Sequence, residues 1–494
     1  MALPLLFDEA GDDMLAAGNM YGDNDFGAQI NEFRYDSQNE VIKNTYWGLY
    51  GVIYDCNLIL DNIEPTTSIK KRVCAEARTL RAWSHMMLAI GWDCPPLVDH
   101  ILNPSDKPAN NAVEGGHNGL LEWCAKEAEA AVADLDERES PSDKVGASKV
   151  TKGFALTVAG KARLFKGDYA GAKANLEQVI TSKKYELVPT ERWPNLFHAS
   201  GDLCEEMIFQ ANALENAAVG DWSNKIQRTS WMWIQFWNWR TDKLATKPSF
   251  IGPDGWGGHS IRADFAERML ANDGNSPRRK ATFLTGDEFL YEMEWNSTKG
   301  ENLTRAELEK SPKIGIKDPT GLYGFAGYFA NKFVAWPEDN EKGWYGFKNL
   351  TIFRYAEVLL MYAEACAQTS DPNGLGLKCL QDIQKRAGSA HLSTELTMQE
   401  VKNEKSYEMW LEAVRFPDMV RWGDTDGVVN NGKNIPTTYD AFFTKNEPIH
   451  RLYVETSNPN KGQTGFVKGK HEYFAYPFAA TSINPNLKQN PSGE

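Results

Sequence analysis

The 494-residue sequence is short of positive charge and contains no long hydrophobic run. Acidic residues outnumber Lys and Arg by 67 to 53, which gives a formal net charge of −14. Because phosphate binding needs clustered Lys and Arg, this balance argues against nucleic acid or an anionic membrane surface as the partner, whereas it tolerates a neutral ligand. No apolar stretch approaches the ~18–20 residues that a transmembrane helix needs.

Motifs of catalysis and metal binding are also missing. G-x-S-x-G, H-E-x-x-H, a phosphate-binding P-loop and a Rossmann glycine pattern do not occur. The seven cysteines are widely spaced, with no C-x-x-C and no zinc-ligand spacing, so we expect buried, small hydrophobic side chains. The acidic loop GDTDG (423–427) could supply oxygens to a structural calcium ion, although it is too short for a complete EF-hand. We therefore predict no enzymatic activity and no required cofactor.

Helical periodicity dominates two long parts of the chain. It runs through the segments 47–63, 71–92, 117–137, 148–189, 353–368 and 375–388, and it continues from about Thr397 to Asp424. In the fourth segment, small residues and a turn at Lys166–Asp168 match the tetratricopeptide pattern, in which small residues let paired helices approach. The predicted fold class is therefore mainly α, a tetratricopeptide-like scaffold of helix pairs with few short strands.

Several helix details follow from the same patterns. Thr397 and Glu400 have the spacing of a capping box, in which each side chain binds the other residue's free backbone amide. A ladder of ion pairs at three-residue steps is predicted for Arg415, Asp418, Arg421 and Asp424. A core position is predicted for the tryptophans on helical stripes, Trp47, Trp83, Trp410 and Trp422.

The parts at about 190–350 and 425–494 have a different composition. They are rich in Gly, Trp, Tyr, Asn and Asp, and their periodic stretches are short. We predict a single domain over 1–494, in which a helical scaffold at about 40–185 and 350–424 supports a loop-rich part that faces the ligand. Loops held by rigid elements are where binding residues usually lie.

The segment WMWIQFWNWR (231–240) concentrates indole rings on one side. In an extended strand successive side chains point to opposite faces, so Trp231, Trp233, Trp237 and Trp239 would share one face. Sugar rings have an apolar face that stacks on flat aromatic rings, which predicts a glycan-binding platform here. Asn238 would donate hydrogen bonds to sugar hydroxyls or accept them, and Arg240 would donate them. The alternative is that some of these rings fill the core.

Further aromatic candidates lie in the same loop-rich zones. They are Trp256 among glycines, Trp295 beside Asn296, Trp336 in VAWPEDNEKGWYG, and Tyr21 in NMYGDNDFG. For each residue alone a structural role is favoured, but together they exceed what a core needs. We therefore include them in the predicted glycan-binding set.

Several segments resemble the SusD/RagB proteins, which are outer-membrane glycan-binding lipoproteins of Bacteroidetes. In order, they are AEARTLRAWSHMMLAIGWDCPPLV, FRYAEVLLMYAEA, QKRAG, EMWLEAVRFPDMVRWGD and NPNLKQNP. The resemblance implies about four tetratricopeptide-like helix pairs below an irregular binding face. It also implies a TonB-dependent, SusC-like transporter as partner, with the binding protein acting as its lid.

Two places depart from the family pattern. Lys405 stands where the family usually has Arg, and the N-terminal MALPLLFDEAGDD contains neither a secretory signal nor the lipid-anchored cysteine. We therefore expect a sequence trimmed at its N-terminus, and a full-length protein anchored by lipid to the outer membrane at the cell surface.

The sequence leaves three functions open. The first is non-catalytic binding of an oligo- or polysaccharide for import, the second a glycoside hydrolase or lyase on an all-helical scaffold, and the third a protein-interaction scaffold. No glycosidase pair can be chosen among the 67 acidic residues. A flat row of rings would suit a β-linked chain such as β-glucan, mannan or chitin, and a curved row a starch-like helix.

Overall fold

The computed structural model describes residues 3–16, 25–213, 238–239, 251–252, 255, 257, 259–285, 288, 328–339, 348–431, 434–439, 453–457 and 465–493. Within these residues the fold is mainly α-helical with short strands, as predicted. In chain order the helices are α1 (Leu3–Glu9), α2 (Asp25–Asn31), α3 (Glu40–Asn62), α4 (Ser68–Trp92), α5 (Gly116–Ala131), α6 (Lys144–Ala147), α7 (Lys152–Lys166), α8 (Tyr169–Thr181), α9 (Ala263–Asp273), α10 (Pro277–Thr282), α11 (Tyr355–Gln368), α12 (Leu375–Ala387), α13 (Met398–Glu408), α14 (Arg415–Trp422) and α15 (Phe478–Ile483).

The long helices lie side by side in one continuous row. Helix α3 packs on α4, α4 on α5, α5 on α7, α7 on α8, and α8 on α11. Helix α11 then packs on both α12 and α13. Stacked helix pairs bury a shared core only through such neighbour contacts, so the predicted tetratricopeptide-like scaffold is confirmed.

The pair α7 and α8 shows how the sequence forms these contacts. A Cβ at Gly160 would come within 2.7 Å of the Leu176 side chain, so glycine is what lets the two helices approach. The connecting turn uses Gly167 at φ +82°, a conformation that costs glycine little. Asp168 then caps α8 by accepting a hydrogen bond from Gly171 N at 2.9 Å. The predicted turn is confirmed.

Four two-stranded antiparallel sheets join distant parts of the described chain. The pairs are β1 (Met14–Ala16) with β3 (His259–Ile261), β2 (Met207–Ala211) with β6 (Leu350–Arg354), β4 (Phe283–Thr285) with β5 (Tyr328–Ala330), and β7 (Asn434–Tyr439) with β8 (Tyr453–Ser457). Strand β6 leads directly into α11, and Phe209 of β2 stacks on Phe154 of α7 with ring centroids 4.2 Å apart. The β2–β6 pair thereby fixes the start of the loop-rich part onto the helical row.

A buried charge cluster connects the elements at the α11–α14 end of the row. Its cations are Arg278, Lys332, Arg354 and Arg386, and its carboxylates are Glu206, Asp273, Glu404, Glu408 and Glu412. Apart from Glu412, which is half-buried, every member is buried. Each charge therefore depends on its neighbours instead of water for compensation.

Glu408 is at the centre of this buried charge cluster. Its carboxylate accepts hydrogen bonds from Arg354 at 2.6 Å, from Arg278 at 3.0 Å, and from Arg386. The Trp193 indole donates a further hydrogen bond at 3.2 Å. Burial alone would raise the pKa of Glu408, but the three guanidinium charges hold that pKa well below its ordinary value. Glu408 is therefore ionised throughout the physiological range.

The ladder predicted for 415–424 is only partly formed. Arg421 donates to Asp418 at 2.8 Å within α14, as predicted. Arg415 and Asp424 pair elsewhere: Arg415 binds Asp12 through contacts of 2.6 and 2.8 Å, and Asp424 pairs with Lys402 at 2.6 Å. The helix begins at Arg415 and ends at Trp422, so Asp424 lies beyond it.

The capping box at the start of α13 is half formed. Thr397 Oγ1 accepts a hydrogen bond from Glu400 N at 3.2 Å, as predicted. The Glu400 carboxylate, however, lies 2.7 Å from His391 Nε2 and accepts a hydrogen bond from Ser393 Oγ at 2.6 Å. The carboxylate is therefore engaged by the loop before the helix and not by the backbone amide of Thr397.

Two of the four tryptophans predicted to be in the core, Trp83 and Trp410, are buried. Trp422 is half-buried and donates to Glu364 at 2.8 Å. Of the seven cysteines, all of them free, six are buried and Cys204 is half-buried. The prediction of buried thiols is therefore confirmed for those six.

The core prediction for Trp47 is wrong, since its side chain is 42% exposed. Helix α3 is the first of the row and packs on α4, and its buried face includes Tyr46, Leu49 and Ile53. Trp47 follows Tyr46 and is therefore turned about 100° around the helix. That rotation takes the indole off the face that contacts α4.

The N-terminal segment places three aspartates against the start of α14. Asp8 accepts hydrogen bonds from Ala413 N through both oxygens at 3.0 Å. Asp13 is 1% exposed, and in the described part of the chain neither of its carboxyl oxygens has a hydrogen-bond partner. Burial, together with the negative charge of Asp12, raises the pKa of Asp13 to about 7.

Candidate functional site

Most of the predicted glycan-binding residues lie outside the described residues. They are Tyr21, Trp231, Trp233, Trp237, Arg240, Trp256 and Trp295. Three are described, Asn238, Trp239 and Trp336, and the structure separates them into two buried residues and one that reaches the surface.

Asn238 and Trp239 are interior residues, which corrects their predicted role. Trp239 is 4% exposed, and its Nε1 donates to the Ala330 carbonyl at 2.8 Å. Asn238 is fully buried and accepts a hydrogen bond from Ala335 N at 2.8 Å. Trp239 binds the last residue of β5 and Asn238 binds the chain that follows it, so both side chains anchor that segment and have no surface left for a ligand.

Trp336 lies next to that anchor and is half-buried. One face of its indole stacks on the His198 ring, with centroids 3.5 Å apart and planes 11° from parallel. His198 is itself 3% exposed, so the exposed part of Trp336 is the face or edge away from it. We call Trp336, His198 and Asp339 the Trp336 platform.

Asp339 holds the Trp336 platform rigid. Its carboxylate accepts hydrogen bonds from Trp336 N at 2.7 Å and from Ala199 N at 2.7 Å, and it lies 2.8 Å from His198 Nδ1. Burial would raise the pKa of Asp339, but the hydrogen bond to His198 and nearby positive charge lower it. Burial also lowers the pKa of His198, in spite of Asp339. At neutral pH His198 is therefore neutral and the buried Asp339 is ionised, and the part of the group that reaches the surface is the uncharged indole of Trp336.

A second aromatic surface lies on the outer face of α3. It is a cleft of about 270 Å³ whose floor is formed by Tyr46, Trp47, Tyr50 and Tyr54 of α3. Its walls come from the chain at 96–108 and from 480–487. We call this the α3 cleft. Trp47 and Tyr54 are the exposed rings, at 42% and 54%.

Hydrogen bonds from three elements fix the walls of the α3 cleft. Asn57 donates to the carbonyls of Val98 and His100, each at 3.1 Å. Asn484 donates to Pro108 O at 2.8 Å, and the Tyr50 hydroxyl donates to Pro96 O at 2.7 Å. The chain's own hydrogen bonds therefore hold the walls of the cleft in place, which favours binding because little ordering remains to be done.

The spacing of aromatic residues on α3 indicates the α3 cleft, although the sequence analysis predicts a core position for Trp47. Trp47, Tyr50, Tyr54 and Leu58 recur at helical steps, and the structure places them together on one face. A second set, from Val41 to Asn57, forms the buried face of the same helix. Two adjacent apolar faces on one helix exceed what a single packing contact needs, and that excess marks the exposed surface.

The described residues contain no candidate metal site and no candidate membrane span. Within them, no group of three or more His, Cys, Asp or Glu side chains could hold a metal ion. None of the helices in the described ranges combines the length and apolarity needed to cross a bilayer. The carboxylates of the buried charge cluster are neutralised by buried cations and lie away from solvent.

Comparison of the sequence with known families identifies one match. The model of the SusD family matches residues 205–492, which is more than half of the chain. A SusD-like protein of Bacteroides ovatus is 21% identical over 419 residues, covering 80% of this chain and 68% of that protein. A SusD-like protein of Formosa agariphila is 21% identical over 440 residues, covering 85% and 76%.

Solved structures share the fold. A laminarin binding SusD-like protein superposes with a TM-score of 0.74 at 20% identity, covering 99% of this chain and 94% of that chain. Surface glycan-binding protein A from Bacteroides thetaiotaomicron, in complex with laminarihexaose, gives the same TM-score and identity and covers 99% and 93%. The helical row and the loop-rich part thus recur together in these proteins.

Proposed function

The chain belongs to the SusD family, and from this premise we propose that it is a non-catalytic glycan-binding protein of the bacterial cell surface. The observation that carries the proposal is the Trp336 platform, a half-exposed indole held rigid by His198 and Asp339. A flat, pre-positioned ring stacks on the apolar face of a sugar with little loss of side-chain entropy.

We assign the ligand to the β-glucan class. Two proteins of the same fold are named for laminarin or hold laminarihexaose. With Trp336, the proposed ligand-binding set comprises the residues predicted from the sequence, Tyr21, Trp231, Trp233, Trp237, Arg240, Trp256 and Trp295. A chain of net charge −14 favours a neutral polysaccharide over an anionic one.

We further propose the cellular arrangement that the family resemblance implies. The full-length protein is held by a lipid anchor at the outer membrane and delivers glycan to a SusC-like, TonB-dependent transporter. A glycoside hydrolase is the less favoured alternative. The carboxylates that are grouped in the buried charge cluster are engaged in structural ion pairs with arginines, so they do not form a catalytic pair.

Native affinity electrophoresis in gels containing laminarin, mannan, soluble chitin or starch tests the ligand class. Retardation by laminarin above the other three is expected. Trp336→Ala should weaken binding about fivefold, since a lost stacking contact costs about 1 kcal/mol. Trp336→Phe, which keeps an aromatic face, should retain most of the affinity, and Ile69→Ala, at a 65% exposed position on α4, serves as the control.

Two results would contradict the proposal. Absence of retardation by every polysaccharide would reject glycan binding. Release of reducing ends from the bound polysaccharide, above a heat-inactivated control, would reject the non-catalytic part and favour the hydrolase.

A further inference from the structure

We propose that the α3 cleft is a second glycan-binding site, which holds a stretch of the same neutral polysaccharide at a distance from the Trp336 platform. This inference rests on the proposed function. It goes beyond that function because the two surfaces are built from different elements: α3, 96–108 and 480–487 for one, and 198–199 with 336–339 for the other.

The exposed rings of the α3 cleft suit a polymer. Trp47 and Tyr54 are seven residues apart on one helix, so they share a face and are separated by two turns, or about 10 Å along the axis. One monosaccharide cannot cover both rings at that separation. An extended chain can place one sugar on each ring and another between them.

The rings are held in place before any ligand arrives. The Trp47 indole packs edge-on against Tyr46, with centroids 5.8 Å apart and planes at 84°. Tyr46 is 3% exposed and is itself packed against Tyr50, at 4.9 Å, and Trp92, at 5.4 Å. The exposed indole therefore stands on a buried aromatic stack, which limits the entropy lost when a ligand stacks on it.

The charges at the rim favour a neutral ligand. Lining residues Asp106, Lys107 and His100 carry groups of both signs, and His100 lies beside Asp99, with Nδ1 to Oδ1 at 2.8 Å. An anionic chain would meet the carboxylates, and a cationic one would meet Lys107. Sugar hydroxyls can donate to the carboxylates and accept from Lys107 and from the Tyr54 hydroxyl, so an uncharged polyol fits both kinds of group.

The double variant Trp47→Ala/Tyr54→Ala tests the inference by affinity electrophoresis on the polysaccharide that retards the wild type most. Both side chains are exposed, so the variant is expected to fold, and its melting temperature verifies this. The affinity of this site should fall about 25-fold, because two stacking contacts of about fivefold each are lost. Trp47→Phe should restore most of the loss due to Trp47, and Ile69→Ala should change nothing.

The outcomes separate this inference from the proposed function. If Trp336→Ala weakens binding but the double variant does not, the α3 cleft is not a glycan site and the proposed function stands. The same conclusion holds if the double variant loses only a protein partner. If the wild type is not retarded by any polysaccharide, both proposals fall. If the double variant lowers affinity further in a Trp336→Ala background, the two sites act independently, as proposed.

Discussion

The two ends of the helical row are built on opposite principles. At the α11–α14 end, charged side chains lie inside and hold the helices to one another through the buried charge cluster. At the α3 end, large aromatic side chains lie outside, on a floor of buried tyrosine and tryptophan. The charged side chains at the α11–α14 end stabilise the fold, whereas the exposed aromatic side chains at the α3 end are available to contact a ligand.

The comparison explains what the most recognisable sequence segments do. FRYAEVLLMYAEA contributes Arg354, QKRAG contributes Arg386, and EMWLEAVRFPDMVRWGD contributes Glu408 and Glu412. The segments that resemble the family therefore supply residues that hold the helical scaffold together. In the proposed function, the ligand is recognised elsewhere, by aromatic residues that reach the surface.

The largest expected effect on stability comes from a substitution in the buried charge cluster at the α11–α14 end. Glu408→Gln keeps the shape of the side chain but removes the charge shared by three arginines, so we expect a loss of about 5 kcal/mol in the free energy of unfolding. Urea unfolding followed by circular dichroism measures it. Glu395→Gln, the same change at an exposed position, should be neutral. Equal changes in the free energy of unfolding of the two variants would contradict the structural role of the cluster.

The next prediction compares two tryptophans that pack against Tyr46. Trp92 is fully buried, and its Nε1 donates to Ala475 O at 2.9 Å, so Trp92→Ala should cost about 4 kcal/mol in stability. Trp47 is exposed, and Trp47→Ala should cost less than about 1 kcal/mol. The same unfolding assay measures both. A large stability loss for Trp47→Ala would mean that the ring is structural after all.

A third prediction concerns the pH dependence of the α11–α14 end. The pKa of Asp13 is raised to about 7 by burial and by Asp12, above its value in the unfolded chain. Its contribution to stability is therefore complete below about pH 4 and is lost as the pH rises through 7. Asp13→Asn removes that loss, so at pH 8 the variant should be more stable than the wild type by roughly 2–4 kcal/mol.

Unfolding curves from pH 4 to pH 8 measure the difference between Asp13→Asn and the wild type. At pH 4 the two proteins should be alike. Asp134→Asn, at an exposed position, supplies the matched control. A variant that is less stable than the wild type at pH 8 would show that Asp13 is ionised and compensated in the fold.

The smallest effect concerns the half-formed capping box. Thr397→Ala removes the hydrogen bond to Glu400 N and should cost about 1 kcal/mol, which melting temperature detects. If instead Glu400→Gln costs more than Thr397→Ala, the contacts of Glu400 with His391 and Ser393 matter more than the cap.

The helical frame could be predicted because its signals are local. Periodicity gave the helices, and the glycine and aspartate at 167–168 gave the turn between α7 and α8. The end of helix α14 was not predicted from the sequence, and it decides one ion pair. Because α14 ends at Trp422, Asp424 lies beyond the helix and does not join the ladder. The partners of Arg415 and Glu408 come from parts of the chain that no spacing rule connects.

Exposure was harder to predict than secondary structure. Trp239 and Trp47 both lie in aromatic-rich segments, yet the first is enclosed and the second open. The difference arises from tertiary neighbours: β5 supplies the Ala330 carbonyl that receives the Trp239 indole, whereas α3 has no helix beyond it in the row. An aromatic residue in the sequence indicates that the surface of its side chain will be covered. The fold decides whether another part of the chain or a ligand covers it.

The contact between Trp92 and the segment at 475–476 joins residues more than 380 positions apart. Protein synthesis proceeds at about 5–20 residues per second, so Trp92 leaves the ribosome roughly 20–80 s before Ala475 can cover it. During that interval the nascent chain displays an open patch of indole and phenol. Ala475 and Tyr476 complete a hydrophobic layer begun by α4, and the nascent chain is prone to aggregation until they have been translated.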